Sequence, residues 1–237
     1  LSFRKIISLL QTVLLYYIFV YITTFSLQYH LLSPKIHDNM ISIFNNLFYI
    51  ISRSIFMIRI GIVSYNIYCN FTNYGSALQS WALYQSIKRI SPDLYQPVLV
   101  DYCPDSLSDK DPLNLPAIRI NYQKFDHFYH TYFGLTSQKY TSENFNSIAH
   151  FDDINHFVCG SDTIFCINEF NGFDDGYFAN YDVMKGNSVS YAASFGDAHF
   201  DTDSYQILNN RLQNFLAIGL RENKFIPYLK EHINSNG

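Results

Sequence analysis

Three apolar runs, each ending in small or acidic residues, constrain the fold of this chain more than any other feature. Ile58–Tyr65 is a short, nearly continuous apolar stretch, and Asn73-Tyr74-Gly75-Ser76-Ala77-Leu78-Gln79-Ser80-Trp81-Ala82-Leu83 follows as the opening of a helix. Phe157-Val158-Cys159 runs into Gly160-Ser161-Asp162, and Val189–Ala193 runs into Ser194-Phe195-Gly196-Asp197. Strands that end in such turns, with a helix behind them, form the binding edge of an open α/β sheet. Gly75 at the mouth of a helix also predicts free backbone N–H groups and a positive helix end within reach of a ligand.

The remaining elements continue the alternation. The spacing of Ala77, Leu78, Trp81, Ala82, Leu83, Ile87 and Ile90 predicts a helix from about Tyr74 to Ile90, with those residues as its inner face. Lys88 and Arg89 complement its negative end, and Ser91-Pro92-Asp93 stops it. A second strand is expected at Pro97–Asp101, then a long loop through Ile120 and a helix over Asn121–Phe133 with Phe125, Phe128 and Phe133 inward. A short helix within Ser142–Phe151, strand His156–Cys159, strand Val189–Ala193, helix Asp203–Gln213 and strand Phe215–Leu220 complete the series. Repeated β/α units favour a parallel, Rossmann-like sheet with right-handed crossovers.

Composition narrows the function classes. Hydrophobic residues make up 48% and charged residues 15% of 237, which suits a packed core and not a disordered chain. The net charge of −4 argues against a nucleic-acid partner, whose phosphates need a basic face. The 20 Tyr and 21 Phe are spread along the whole chain and read as core rather than as a base-stacking platform. Cysteines 69, 103, 159 and 166 have no zinc spacing, and Cys159 reads as a small buried hydrophobe. His127 and His130 lack a surrounding carboxylate pair, so no metal site is expected there.

Residues 1–56 form a separate region. Residues 6–29 hold no charged side chain, and Ile6–Thr23 approaches the length that spans a bilayer, with Arg4 and Lys5 placing the N-terminus in the cytoplasm. No small-residue cleavage site follows. Met57 stands one residue before the first strand, and translation of an AT-rich stretch upstream of a gene gives the same Ile/Phe/Tyr/Leu/Asn mixture. The upstream-translation reading of 1–56 is preferred here to a membrane anchor. Without that leader, 12 Lys and Arg face 19 acids, and the domain 57–237 is acidic at −7.

Six pieces in order resemble the polysaccharide pyruvyl transferase family: N-Y-G-x-x-L-Q-x-x-A-L at 73–83, Val100-Asp101-Tyr102, Lys124-Phe125-x-x-Phe128, G-S-D at 160–162, S-Y-A-A-S-F-G at 190–196, and Leu220-Arg221-Glu222. The family usually reads G-S-D-Q-x-W, and Thr163 and Phe165 replace the glutamine and tryptophan here. The resemblance implies the N-terminal half of a two-domain GT-B arrangement, truncated at its C-terminus and inactive alone. It also implies transfer of a pyruvyl group from phosphoenolpyruvate to a sugar of a surface polysaccharide as a ketal. Phosphoenolpyruvate is then a donor substrate, and neither cofactor nor metal is required. The implied partners are that donor and a carbohydrate acceptor, without nucleic acid, and with membrane contact only through 1–56. The implied location is the cytoplasm, at the inner face of the membrane in the anchor case. Two other readings stay open: a sugar-nucleotide glycosyltransferase of GT-B type, and a non-catalytic remnant or carbohydrate-binding module.

The candidate site follows from the strand ends. Asp162 is placed at the crevice to bind or deprotonate a sugar hydroxyl; alternatively Asp162 and Ser161 cap the next segment. Arg221, directly after an apolar strand, is the candidate cation for phosphate or carboxylate; alternatively it pairs with Glu222 or Asp203 at the surface. Asn73 reads as an N-cap, with Tyr74, Gly75 and Gln79 as candidate ligand contacts beside it. Gly160 belongs to the same binding turn as Ser161. Ser190, Tyr191 and Ser194 read first as strand packing and turn chemistry, with Ser194 the one expected to face the site.

Overall fold

Ile58-Arg-Ile-Gly-Ile-Val63 carries too little polarity for a surface strand, and in the computed structural model it lies inside a five-stranded sheet as β1 (Ile58–Val63). The structure describes residues 57–65, 72–108, 116–169 and 172–232, with isolated helical positions between 13 and 46. The chain divides into two units, Leu1–Ile58 and Arg59–Gly237. In the first, Thr24 Oγ1 donates to the carbonyl of Val20 one turn back, and most of the apolar segment 6–29 lies outside the described residues. Among the described residues, no helix is long and apolar enough to cross a membrane.

The second unit runs β1, α1 (Tyr74–Ile90), β2 (Tyr95–Leu99), α2 (Asp105–Ser108), α3 (Pro116–Tyr132), a 3-10 turn at Phe145–Ser147 and α4 (Ile148–Phe151). It continues with β3 (Ile154–Cys159), β4 (Ser188–Ala193), α5 (Thr202–Leu212), β5 (Phe215–Leu220) and α6 (Ile226–His232). The strands are all parallel and ordered β2-β1-β3-β4-β5. The α/β, Rossmann-like expectation therefore holds. Register pairs Val63 with Cys159 across β1 and β3, and Cys159 with Ser190 across β3 and β4. Chain order reverses between β1 and β3, and an open parallel sheet offers its crevice at the carboxyl ends of such a pair.

Side-chain alternation divides the interior into two cores. Ile62 and Leu99 face α1 and α3, where Ala77, Leu83, Ile87, Phe125, Tyr129 and Phe133 meet them. Val63, Phe157, Cys159 and Ala193 face the opposite side, covered by α5, α6 and the turn-rich segments 164–169 and 172–187. Aromatic rings fill that second core: Phe145 stacks on Tyr181 at 4.4 Å, and Phe165 on Phe178 at 4.8 Å. Cys159 is fully buried there, and burial pushes its thiol pKa up.

Several boundaries differ from the sequence-based expectation. The inner face of α1 is Ser76, Ala77, Ser80, Leu83, Tyr84 and Ile87, while Leu78 and Ile90 are exposed at 59% and 71%. Trp81 and Ala82 also point outward. Two serines and an alanine let the first turns of the helix approach the sheet closely, while Leu83, Tyr84 and Ile87 fill the space beneath its later turns. Part of the expected loop 102–120 is helical, because α2 occupies Asp105–Ser108 and α3 begins at Pro116. Proline suits the first turn of a helix, where its missing N–H has no partner to lose. Phe128 is only partly buried, and Tyr129 takes the inward position.

Asp174 is a carboxylate within the second core. It accepts from Tyr102 Oη at 2.9 Å and from the N–H groups of Gly176 and Tyr177 at 3.0 and 3.1 Å. Burial outweighs those bonds and pushes its pKa up to about 6. A carboxyl with a higher pKa folded than unfolded binds protons more tightly in the fold, so its contribution to stability falls as pH rises from about 4 to about 6. That displacement corresponds to roughly 3 kcal/mol. Urea unfolding of the wild type and Asp174→Asn between pH 4 and pH 7 is expected to show the difference moving in the variant's favour as pH rises, by up to about 3 kcal/mol. A difference that stays constant with pH rejects this account.

Candidate active site

The crevice begins where β3 leaves the sheet. Gly160 has φ +120°, and a Cβ there would lie 2.4 Å from the carbonyl oxygen of Tyr191 on β4. Only glycine lets the chain pass so close. Ser161 is buried, and its carbonyl accepts from Ser64 Oγ at 3.1 Å, which ties the exits of β3 and β1 together. Asp162 then takes φ 97°, a costly conformation for a residue with a Cβ, of order 1–3 kcal/mol. It is held by a bridge to Ala193 and by Ser194 N–H donating to its carbonyl at 2.8 Å. Thr163 N–H donates to its Oδ1 at 2.9 Å.

This conformation lays the Asp162 carboxylate over the first turn of α1. Oδ2 accepts from Ser76 Oγ at 2.5 Å and from Gln79 Nε2 at 2.8 Å. The other end of the Gln79 amide, Oε1, accepts from Arg221 Nη2 at 3.0 Å. Arg221 is positioned by its own backbone N–H, which donates to the Ala193 carbonyl at the end of β4. A continuous chain of hydrogen bonds, Arg221 to Gln79 to Asp162 to Ser76, thus joins the ends of β5 and β3 through α1. Arg221 is exposed and forms no ion pair with Glu222 or Asp203 among the described residues. Glu222 instead accepts from Phe195 N–H at 2.7 Å and fixes the turn after β4.

The other candidates have structural partners. Asn73 caps α1, its Oδ1 accepting from Gly75 N–H at 2.7 Å and Ser76 N–H at 3.4 Å. The first-turn N–H groups expected to be free at Gly75 are therefore engaged by the cap, which corrects the helix-mouth expectation there. Tyr74 is exposed and rests against Phe125 at 4.9 Å, beside Leu78 and Phe128 in an apolar groove. Ser194 is buried, and its Oγ accepts from Gly196 N–H at 2.9 Å, so its hydroxyl belongs to the turn. Ser190 Oγ bonds Gly219 on β5. Phe165, where the family usually has tryptophan, is fully buried, and Thr163 Oγ1 donates to Glu169 at 3.2 Å.

Ser76 was absent from the sequence-derived site, although it lies three residues before Gln79 on the same helix face. Its spacing from Gln79 was the available signal. The cluster of one cation, one amide and one carboxylate can hold an anion at Arg221 and accept a hydroxyl at Asp162, whose Oδ1 retains acceptor capacity. Among the described residues no group of three or more His, Cys, Asp or Glu has the arrangement to hold a metal ion.

A parallel sheet with flanking helices and an acid–amide–guanidinium crevice at its strand-order reversal defines an α/β protein of Rossmann-like architecture. The sequence profile of the polysaccharide pyruvyl transferase family matches residues 73–231, and the chain belongs to that family. Comparisons with curated proteins and with solved structures give no match.

The geometry at Gly160 is directly testable. Gly160→Ala is expected to destabilise the protein by about 2 kcal/mol or more, through its positive φ and the collision with Tyr191. Thermal unfolding measures this, and an unchanged midpoint would show that the β3 exit can move away from β4.

Proposed function

We propose that the chain takes part in transferring a pyruvyl group from phosphoenolpyruvate to a saccharide, forming a cyclic ketal. Membership of the transferase family supports the reaction class. The observation that carries the site is the hydrogen-bonded chain from Arg221 through Gln79 to Asp162. In this reading the Arg221 guanidinium pairs with the donor's carboxylate or phosphate, for which its planar fork is suited. Asp162 accepts a hydroxyl of the acceptor sugar and orients its oxygen toward the donor's second carbon. Ser76 and Gln79 hold the carboxylate in place.

The chemistry balances without a further reactant. Two sugar hydroxyl oxygens bond to the donor's second carbon, and the bond from that carbon to the phosphate oxygen breaks. One hydroxyl proton ends on the methylene carbon, which becomes a methyl group, and the other leaves on phosphate. Stabilising the departing phosphate is the electrostatic task, and a preorganised cation accomplishes it better than solvent. Gly160 and Ser161 contribute by shaping the turn, and Asn73, Tyr74, Gly75 and Ser194 by shaping its surroundings. The reading places the protein in the cytoplasm, where phosphoenolpyruvate is made.

Replacing Arg221 tests it. In an active transferase that carries this chain, Arg221→Lys is expected to raise the KM for phosphoenolpyruvate about tenfold or more while leaving the unfolding midpoint unchanged, because a point charge replaces a planar fork. Steady-state phosphate release with varied donor measures this. An unchanged donor KM and unchanged turnover reject the role.

A further inference from the structure

Backbone pairing between β1 and β3 stops at the crevice, and side chains take over from it. The register ends with Val63 opposite Cys159, where Gly160 N–H donates to the Val63 carbonyl at 2.9 Å. The next two residues of the chain reach across to the turn that leaves β3. Ser64 Oγ donates to the Ser161 carbonyl at 3.1 Å, and Tyr65 Oη donates to the Thr163 carbonyl at 2.9 Å. Both side chains are buried. Their acceptors belong to the residues immediately before and after Asp162.

Asp162 needs such a hold more than its neighbours do. Its φ of 97° is one that a side chain opposes, so the conformation persists only where the flanking groups are fixed. β4 supplies one side of the grip through Ala193 and Ser194. Ser64 and Tyr65 supply the other, by fixing a peptide group on each side of the aspartate. Rotation at residue 162 would swing its Cβ, and with it the carboxylate, away from Ser76 and Gln79.

Tyr65 suits this task because its ring is itself held. It packs edge-on against Tyr177 at 5.3 Å, and Tyr177 packs edge-on against Tyr102 at 5.8 Å. Burial pushes the Tyr65 phenol pKa up, the bond to Thr163 opposes that, and the charges of Glu169 and Asp162 add to it. The hydroxyl therefore stays a donor. A buried tyrosine hydroxyl needs only some acceptor within reach. What sets this one apart is the matching bond that the preceding serine makes on the other side of the same aspartate.

We propose that Ser64 and Tyr65 are positioning residues, which hold the turn 161–163 so that the Asp162 carboxylate meets Ser76 and Gln79. The consequence for turnover rests on the transferase reading above; the hold itself does not.

The side-chain amide of Gln79 reports on the carboxylate, because its Nε2 donates to Asp162 Oδ2. In the 15N-labelled 237-residue chain, its resonance is identified by its loss in Gln79→Glu. Asp162→Gly, which tolerates the positive φ, gives the position of the amide without its acceptor. Tyr65→Phe, which keeps the packed ring, is expected to move the resonance toward that position, and so is Ser64→Ala. Tyr228→Phe removes a hydroxyl bonded to Asn209 and is expected to leave the resonance in place. Unfolding midpoints establish that each variant folds, and Ser64→Ala decides the matter if Tyr65→Phe does not fold. A resonance at its wild-type position in the folded variants overturns the proposal, whatever happens to the midpoint. In an active transferase that carries this chain, Tyr65→Phe is expected to lower kcat about tenfold with the KM for phosphoenolpyruvate unchanged, since Arg221 is anchored on Ala193 and not on the turn. A displaced resonance with unchanged kcat keeps the hold and rejects the role of Asp162 in the transferase reading. A lowered kcat with the resonance in place rejects the hold alone.

Discussion

The close passage of Gly160 beneath β4 is the constraint on which the crevice depends. With no Cβ, residue 160 lies against the Tyr191 carbonyl, and the chain leaving β3 is pressed along β4 instead of turning out to solvent. The bridge from Asp162 to Ala193 follows from that course, as does the bond from Ser194 N–H to the Asp162 carbonyl. These contacts hold Asp162 at a positive φ that its own side chain opposes. The same edge of β4 fixes Arg221 through the Ala193 carbonyl, so both charged groups of the site are referenced to one residue. A shift of β4 would therefore move the acid and the guanidinium together.

Sequence alone located the elements whose signals are local. β5 (Phe215–Leu220) and α1 (Tyr74–Ile90) were readable to their ends, because an uninterrupted apolar run marks the first, and Asn73 and Pro92 bracket the second. β2 (Tyr95–Leu99) begins two residues before Pro97, the strand start that the sequence suggests. Pro97 sits within the strand, and the edge position of β2 tolerates a residue that donates no ladder bond. α6 (Ile226–His232) went unread, since seven residues containing a proline carry little periodicity. The inner face of α1 was misphased because Ser76 and Ser80 look polar, yet small size, not hydropathy, decides what fits beneath a helix pressed on a sheet.

The site was partly legible for the same reason. Asp162 and Arg221 follow apolar strands, and residues in that position project from the carboxyl edge of a parallel sheet. Their connection through Gln79 was invisible, because it joins positions 142 and 83 residues apart. The buried carboxylates were equally hidden. Asp152 is enclosed by Ser137, Tyr140 and Arg59, and Asp174 by Tyr102, partners that only the folded chain assembles. Ser76 looked like an ordinary helix serine until its hydroxyl met Asp162.

The glutamine between Arg221 and Asp162 has a physical consequence of its own. A guanidinium and a carboxylate free to meet would form a direct ion pair, each satisfying the other and leaving little for a ligand. Gln79 prevents that by offering its Nε2 to the acid and its Oε1 to the cation, and those two partners fix which end of the amide points where. The charges are thereby kept an amide's width apart, and each is oriented while retaining unused hydrogen-bonding capacity. Replacing the amide by a carboxylate would place like charges at the Asp162 side, and replacing it by an aliphatic chain would let Arg221 fold down onto the acid. The neutral, two-ended side chain is the one choice among these that preserves both a cation for an anionic donor and an acceptor for a hydroxyl. In the proposed reaction those two groups act on different substrates at one carbon, and the spacer is what allows both to be present before either substrate arrives.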